Sequence, residues 1–360
     1  MICKLVQISY KNAYLCTHYK NSSMAKSKRK KNNYKGLKIV GTIVGIGILV
    51  AYFFLFSSMS SSGKTEYIFI DHDDNIDSVY HKLEKVSTKH SLWAFKQMAA
   101  VFSYKDNIKP GRYTIGSSGA LLTFRNFKNG RQASISLTIR SVRTLGDLAS
   151  DVSKKLMFSK RELMDSLTSE AVCKRYGYTR ENIIAMFVPN TYDFYWDTSI
   201  STFLKKMEKE NKKFWTFERT QKAENNGFSK EEVMTLASIV DEETDNEGEM
   251  PKIAGMYINR LNKKMPLQAD PTVKFALGKF EAHRIYHKWL SYDSPYNTYK
   301  YKGLPPGPIR IPCVAAIDAV LNYVHHNYLY MCAKEDFSGT HNFAKTYEEH
   351  LQNAKRYSDA

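Results

Sequence analysis

Hydrophobic and polar residues alternate with three different periods along this chain, and each period predicts a different kind of element. Residues 39–56 (IVGTIVGIGILVAYFFLF) run for 18 positions without a charge. As a helix this run spans roughly 27 Å, about the thickness of a bilayer core. Residues 133–140 (ASISLTIR) alternate polar and apolar, as a half-buried strand does. Residues 229–244 (SKEEVMTLASIVDEET) follow the helical period. Ser229 and Glu232 form a capping-box pair, which starts that helix at Lys230. In this register Leu236, Ile239, Val240 and Glu243 share one face, and Asp241 and Glu242 point elsewhere. Glu243 is then the acid aimed into apolar surroundings. Burial raises a carboxyl pKa, and a carboxyl still protonated near neutral pH can act as a general acid.

The same reading assigns the other elements. Residues 67–70 form a strand, 76–86 and 91–104 helices, 112–115 a second strand, and 118–127 a helix ending at Asn129-Gly130. Helices are predicted at 144–157, 160–167 and 198–214, and a further one in PKIAGMYINRLNKKM with Pro251 in its first turn. Gln268 and Asp270 are placed in the loop after it. Strands at 328–333 and 341–343 and a helix at 347–357 close the chain. The expected fold class is α+β: a basic tail (1–38), a single membrane helix (39–58), a linker (59–66), a small α+β module (67–132) and a larger mixed α+β domain (133–360). The Ser-rich residues 57–64 are expected to be a flexible tether.

Charge adds orientation. The chain has 360 residues and a formal charge of +17. Ten of its 53 Lys/Arg and none of its 36 acids lie in residues 1–38, which leaves the remainder only mildly basic. A basic flank before an apolar span places the N-terminus in the cytoplasm and the bulk of the chain outside the plasma membrane. The run is longer than the core of a cleaved signal peptide, so an uncleaved single-pass anchor is expected. Nucleic acid is excluded as a partner, because the basic run would face the cytoplasm. Met24 precedes that run and is an alternative start. Of five cysteines, Cys173, Cys313 and Cys332 would be exported, an odd number without C-x-x-C spacing. Buried thiols are favoured over a disulfide, and no metal or cofactor is expected. The chain has no internal repeats, no Walker loop and no G-x-S-x-G elbow.

The strings LASIVDEET, INRL, LQADPTV, YNTY and GLPPGPI occur in that order. Over residues 64–357 they resemble the MltG/YceG family of membrane-anchored endolytic murein transglycosylases. The resemblance places the family's catalytic glutamate on Glu243. Asp241 stands where the family usually has Glu. It implies a LysM-like small module that binds glycan, peptidoglycan glycan strands as substrate, and cell-wall synthases as partners. The implied reaction is internal cleavage of MurNAc–GlcNAc bonds with 1,6-anhydro ends. Gln268 and Asp270 are candidates for binding sugar, or for turn chemistry. Tyr296, Asn297 and Tyr299 are candidates as saccharide platforms, or as packing. Asn190 and Tyr192, in an F-P-x-T-Y-like element, would flank the cleft. His341 and Asn342 match a terminal H-x-F element, with a structural hydrogen bond as the alternative. Gly303, Pro305, Pro306 and Gly307 would stiffen the cleft wall. A single acid fits transglycosylation better than hydrolysis, which needs a second carboxylate. A muramidase using water and a non-catalytic glycan-binding scaffold are the rival readings.

Overall fold

The computed structural model describes residues 34–282 and 284–360. The basic tail up to residue 33, the alternative start at Met24, and Cys3 and Cys16 lie outside the described residues. The chain divides into two compact units, residues 1–133 and 134–360.

The first unit includes helix α1, Tyr34–Phe56, which is long and apolar enough to cross a membrane and whose side chains are mostly exposed. Then follow β1 (Glu66–Ile70), α2 (Ile76–Glu84), α3 (Lys89–Val101), β2 (Gly111–Ile115) and α4 (Ala120–Asn129). β1 and β2 pair antiparallel with Ile68 opposite Tyr113. Their alternate residues Ile68, Ile70, Tyr113 and Ile115 point into one core with Val79, Leu83, Phe95, Phe124 and Phe127. Gly130 ends α4 in the left-handed conformation that favours glycine. The strand–helix–helix–strand order read from the sequence is present.

The expected tether at 57–64 is a correction. Met59 is fully buried, its N–H donates to Ser118 O at 3.1 Å, and Ser60 N–H donates to Gly116 O at 3.0 Å. Serine is compatible with a flexible linker. Here its hydroxyls and backbone are bonded into the folded unit, and Met59 fills its core.

The second unit begins with β3 (Ile135–Ile139), then α5 (Leu145–Ser153), α6 (Lys160–Leu167) and α7 (Glu170–Arg175). β4 (Asn190–Phe194) returns antiparallel to β3, with Leu137 opposite Tyr192. α8 (Ile200–Phe214) covers this sheet through Phe203 and Leu204, which share a core with Leu137, Ile139, Phe187 and Phe194. α9 (Phe217–Asn225), α10 (Lys230–Glu243), α11 (Met250–Asn262), α12 (Asp270–Leu277), α13 (His287–Leu290) and α14 (Val314–Leu321) follow. β5 (Tyr330–Ala333) and β6 (His341–Ala344) form the last antiparallel pair, and α15 (Tyr347–Asp359) ends the chain. The sequence reading omitted α7, α9, α12, α13, α14 and β4. Most are short, and α12 starts at Asp270, so Asp270 is a helical residue and not a loop one.

α10 is the central element of this unit. Both hydrogen bonds of its Ser229/Glu232 capping box are present. Leu236, Ile239 and Val240 are fully buried, as the period requires. Val233 to Asp241 are nevertheless all buried, because α9, α11, α12 and α14 surround the helix. Over this stretch it has no solvent side, so the polar Thr235, Ser238 and Asp241 are internal as well.

Candidate active site

Three acids occupy the last turn of α10, where unpaired carbonyls concentrate negative partial charge and disfavour carboxylates. Two are offset by arginines. Asp241 pairs with Arg310 at 3.0 Å and accepts from Cys313 N–H at 3.2 Å and Ser141 Oγ at 3.1 Å. Glu242 pairs with Arg143 at 2.8 Å and Arg310 at 3.1 Å. Asp241 does point away from Glu243's side, but only 8% of it is exposed. The expectation of one acid in apolar surroundings is therefore corrected: Asp241 is internal too, and its partners come from residues about 70–100 positions away in sequence.

Glu243 is different. Its Oε1 accepts a hydrogen bond at 2.6 Å from the hydroxyl of Tyr257, a neutral donor on α11. Burial pushes its carboxyl up to about 7; the Tyr257 hydrogen bond opposes this, the charge of Asp270 adds to it, and His341 and Lys274 oppose it. Burial and the neighbouring carboxyl hold the Tyr257 phenol well above its usual range. The residue is half-buried, and it lines a polar cleft of about 230 Å³.

The cleft also collects Gln268, Asp270, Tyr299 and His341. Tyr299 donates from its hydroxyl to Asp270 Oδ1 at 2.6 Å. Gln268 adopts a left-handed backbone (φ 49°), uncommon for a side chain of its kind. Its N–H is held by Thr298 O at 3.1 Å and its Oε1 accepts from Arg260 at 3.2 Å. Arg260 is buried and also donates to Leu329 O and Leu267 O, so it ties α11 to both neighbouring segments. His341 is oriented by Glu249, which accepts from its ring Nδ1 and its backbone N–H, each at 2.8 Å.

Other expected residues are elsewhere. Asn190 and Tyr192 sit on β4 outside this cleft; the Tyr192 hydroxyl is buried on Val188 O at 2.9 Å. Tyr296 packs its ring on Phe275 and donates to Glu181 O, also outside the cleft. Asn297 is fully buried and donates to Leu290 O and Tyr292 O, which makes it a loop brace. Asn342 donates to Glu335. The proline-rich loop is not a wall of this cleft: Pro305 and Pro306 border a different hollow, and Gly307 lies so close to Glu181 O that a Cβ would meet it at 2.1 Å. The three described cysteines are free thiols, with Cys173 buried and the other two partly so; Cys332 lines the cleft.

Tyr257, Arg260 and Glu249 were missed. A signal existed for two of them. Tyr257 and Arg260 lie three apart on α11, among the buried positions Ile253, Ala254, Met256 and Ile258. An arginine on an apolar helix face is as anomalous as a glutamate there.

A carboxyl poised near neutrality beside a polar cleft is the equipment of an acid–base site. The YceG-like family model matches residues 68–356, and the chain belongs to this family. An endolytic murein transglycosylase of Bacillus subtilis (strain 168) is 38% identical over 201 residues, which cover 55% of this chain and 53% of the relative. One of Streptococcus pneumoniae (serotype 2, strain D39) is 27% identical over 331 residues, 83% of this chain and 59% of the relative. The chain thus spans between half and three-fifths of the length of these curated relatives. The crystal structure of a YceG-like protein from Listeria monocytogenes is similar in fold, with a TM-score of 0.53 at 24% identity over 81% of this chain and 99% of that one.

Proposed function

We propose that this chain is a membrane-anchored endolytic transglycosylase that cleaves peptidoglycan glycan strands internally at MurNAc–GlcNAc bonds. The observation that carries the reading is Glu243: a carboxyl pushed up to about 7, opening on a polar cleft, at the position expected of the family's catalytic acid. The relatives' name, endolytic murein transglycosylase, supports the same class. In the first step Glu243 donates its proton to the departing glycosidic oxygen as the bond to C1 breaks. The resulting carboxylate then takes the proton of the sugar's own 6-hydroxyl while that oxygen bonds to C1. The product is a 1,6-anhydro end, no water is consumed, and Glu243 returns protonated. Gln268, Asp270 and Tyr299 supply donors and acceptors for sugar hydroxyls and N-acetyl groups, and Tyr299 offers an aromatic edge.

A second reading has one specific observation behind it. Asp270 lines the cleft with Glu243 and raises its pKa, so the site is not a single-acid site. A second carboxylate is what a muramidase would use to activate water. Asp270 already accepts from Tyr299, which favours a fixed sugar-binding group over a base. Mass spectrometry of glycan digested by the protein separates the two: anhydro ends support transglycosylation, and reducing ends refute it in favour of hydrolysis.

The reading extends to topology. α1 serves as the anchor, with the basic flank in the cytoplasm and the second unit outside. The small unit is read as a LysM-like glycan-binding module. Its support is the strand–helix–helix–strand order alone. Cell-wall synthases are the expected neighbours of such an enzyme.

A further inference from the structure

The last turn of α1 does not project into solvent. Phe53 stacks on His90 with ring centroids 4.7 Å apart, and Phe54 meets Trp93 edge-on at 5.2 Å. His90 Nε2 lies 2.8 Å from Ser57 Oγ. On the other side, Gly119 is pressed against the end of α1: a Cβ there would meet Leu55 O at 2.2 Å and Phe56 Cα at 2.5 Å. Thr88 N–H donates to Met59 O at 2.9 Å. The first turns of α3 and α4 therefore grip residues 53–59 from two sides. Residues 53–56 belong to the charge-free apolar run, so whatever packs beside them sits at the depth where that run leaves the bilayer.

Besides Val101 at the far end of α3 (77%), two large apolar side chains are exposed on these gripping helices, Trp93 at 55% on α3 and Leu122 at 44% on α4. Each has an exposed base one helical turn away, Lys89 and Arg125. Aromatic rings with neighbouring long cations are the residues that settle at a bilayer interface, the ring among headgroups and the cation reaching to phosphate. Between residues 85 and 133 the sequence holds nine Lys/Arg and a single acid, Asp106. That imbalance attracts an anionic lipid surface.

We propose that the small unit is a membrane-seated collar: Trp93 and Leu122 enter the headgroup layer beside α1, and Lys89 and Arg125 contact lipid phosphate. The proposal rests on α1 being a membrane helix. The collar fixes the height of the small unit at the bilayer surface, where a free tether would let it wander. A lipid interface is the occupant, because the apolar pair flanks a helix end that is itself apolar.

The test uses the full chain reconstituted in phosphatidylglycerol vesicles whose acyl chains are brominated near the headgroup. Tryptophan fluorescence is compared with that of Trp93→Phe. The expected result is a bromolipid-quenched, iodide-shielded component that disappears in Trp93→Phe. A Lys89→Glu/Arg125→Glu variant should restore iodide access to Trp93 while the chain stays vesicle-bound. A vesicle-bound chain whose Trp93 component is quenched by iodide and spared by bromolipid overturns the collar and leaves the anchor intact. A full chain that fails to float with vesicles overturns the anchor reading and the collar with it, and flotation reads that outcome separately.

Discussion

The hydroxyl of Tyr257 donates to Oε1 of Glu243 at 2.6 Å, joining the last turn of α10 to the second turn of α11. A donor fixed on Oε1 reserves Oε2 for the acidic proton, so the proton is carried on the oxygen not held by the phenol. The same bond favours the carboxylate and holds the Glu243 pKa below the value that burial alone would set. Tyr257→Phe removes the donor and keeps the ring. The pKa should rise, so the descending limb of kcat/KM, which reports loss of the acid form, should move to higher pH than its wild-type position near 7. The turnover should also fall, because the proton is no longer confined to one oxygen. The pH–rate profile checks this, and an unmoved limb would show that the hydrogen bond is not made in the working enzyme.

Glu243→Gln should lower the rate by about 10²–10⁴-fold, the usual worth of general acid–base work. Its stability should change in the opposite sense. A carboxyl whose folded pKa is raised keeps its proton when the unfolded chain has lost it, so stability falls as pH rises from about 4.5 to about 7. Above that window the wild type carries the whole penalty, roughly 3 kcal/mol. Glutamine carries none. Urea unfolding at pH 8 and pH 5 should therefore show the variant more stable than wild type at pH 8, with the gain shrinking toward pH 5. An equal difference at both pH values would remove the case for a raised pKa.

Asp241→Asn tests the other buried acid. It leaves Arg310 without its 3.0 Å partner and weakens the bonds from Ser141 and Cys313. A hydrogen-bonded buried charge removed from its pair costs about 1–3 kcal/mol or more. Turnover per folded molecule should stay near wild type, because Asp241 faces the loop of Ser141 and not the cleft. Thermal unfolding together with active-site titration separates the two. Dead but fully folded protein would place Asp241 in the chemistry.

The legible part of this molecule is where one local rule fixes a whole helix. Ser229 and Glu232 set the register of α10, and with the register came the burial of Leu236, Ile239 and Val240 and the direction of Glu243. The strand within residues 133–140 followed in the same way from period-two alternation, and β3 buries every second residue. What stayed hidden depends on partners distant in sequence. Arg310 pairs with Asp241, and Ser141 donates to it, from about 70 and 100 residues away, and nothing local to α10 announces them. Short motifs name residue types without giving side-chain direction. In YNTY, Tyr299 reaches the cleft, whereas Asn297 turns inward to brace its own loop. Met59 looks like one more linker residue until Ser118 and Thr88 are seen to bind its backbone.

Ile239→Ala should destabilise the second unit by about 2–5 kcal/mol, the range for truncating a fully buried branched side chain. Ile239 lies one turn before Glu243 in the same core as Ile253 and Ile317. Denaturant midpoints measure the loss. A change below about 0.5 kcal/mol would mean that this face is not packed.

Asp270→Asn distinguishes the two chemistries the cleft can support. Its negative charge raises the Glu243 pKa, so its removal should lower that pKa and move the alkaline limb to lower pH, the reverse of Tyr257→Phe. If Asp270 only binds sugar, the variant still forms anhydro ends, with the loss concentrated in KM and in the shifted limb. The rate at a pH one unit below the new limb should then stay within about tenfold of wild type, since general-base loss costs more than that. If Asp270 activates water, wild type yields reducing ends and Asp270→Asn abolishes them at every pH. Product analysis by mass spectrometry across pH 5–8 reads the limb and the product class in one series, and reducing-end products lost on this substitution would replace the transglycosylase reading with hydrolysis.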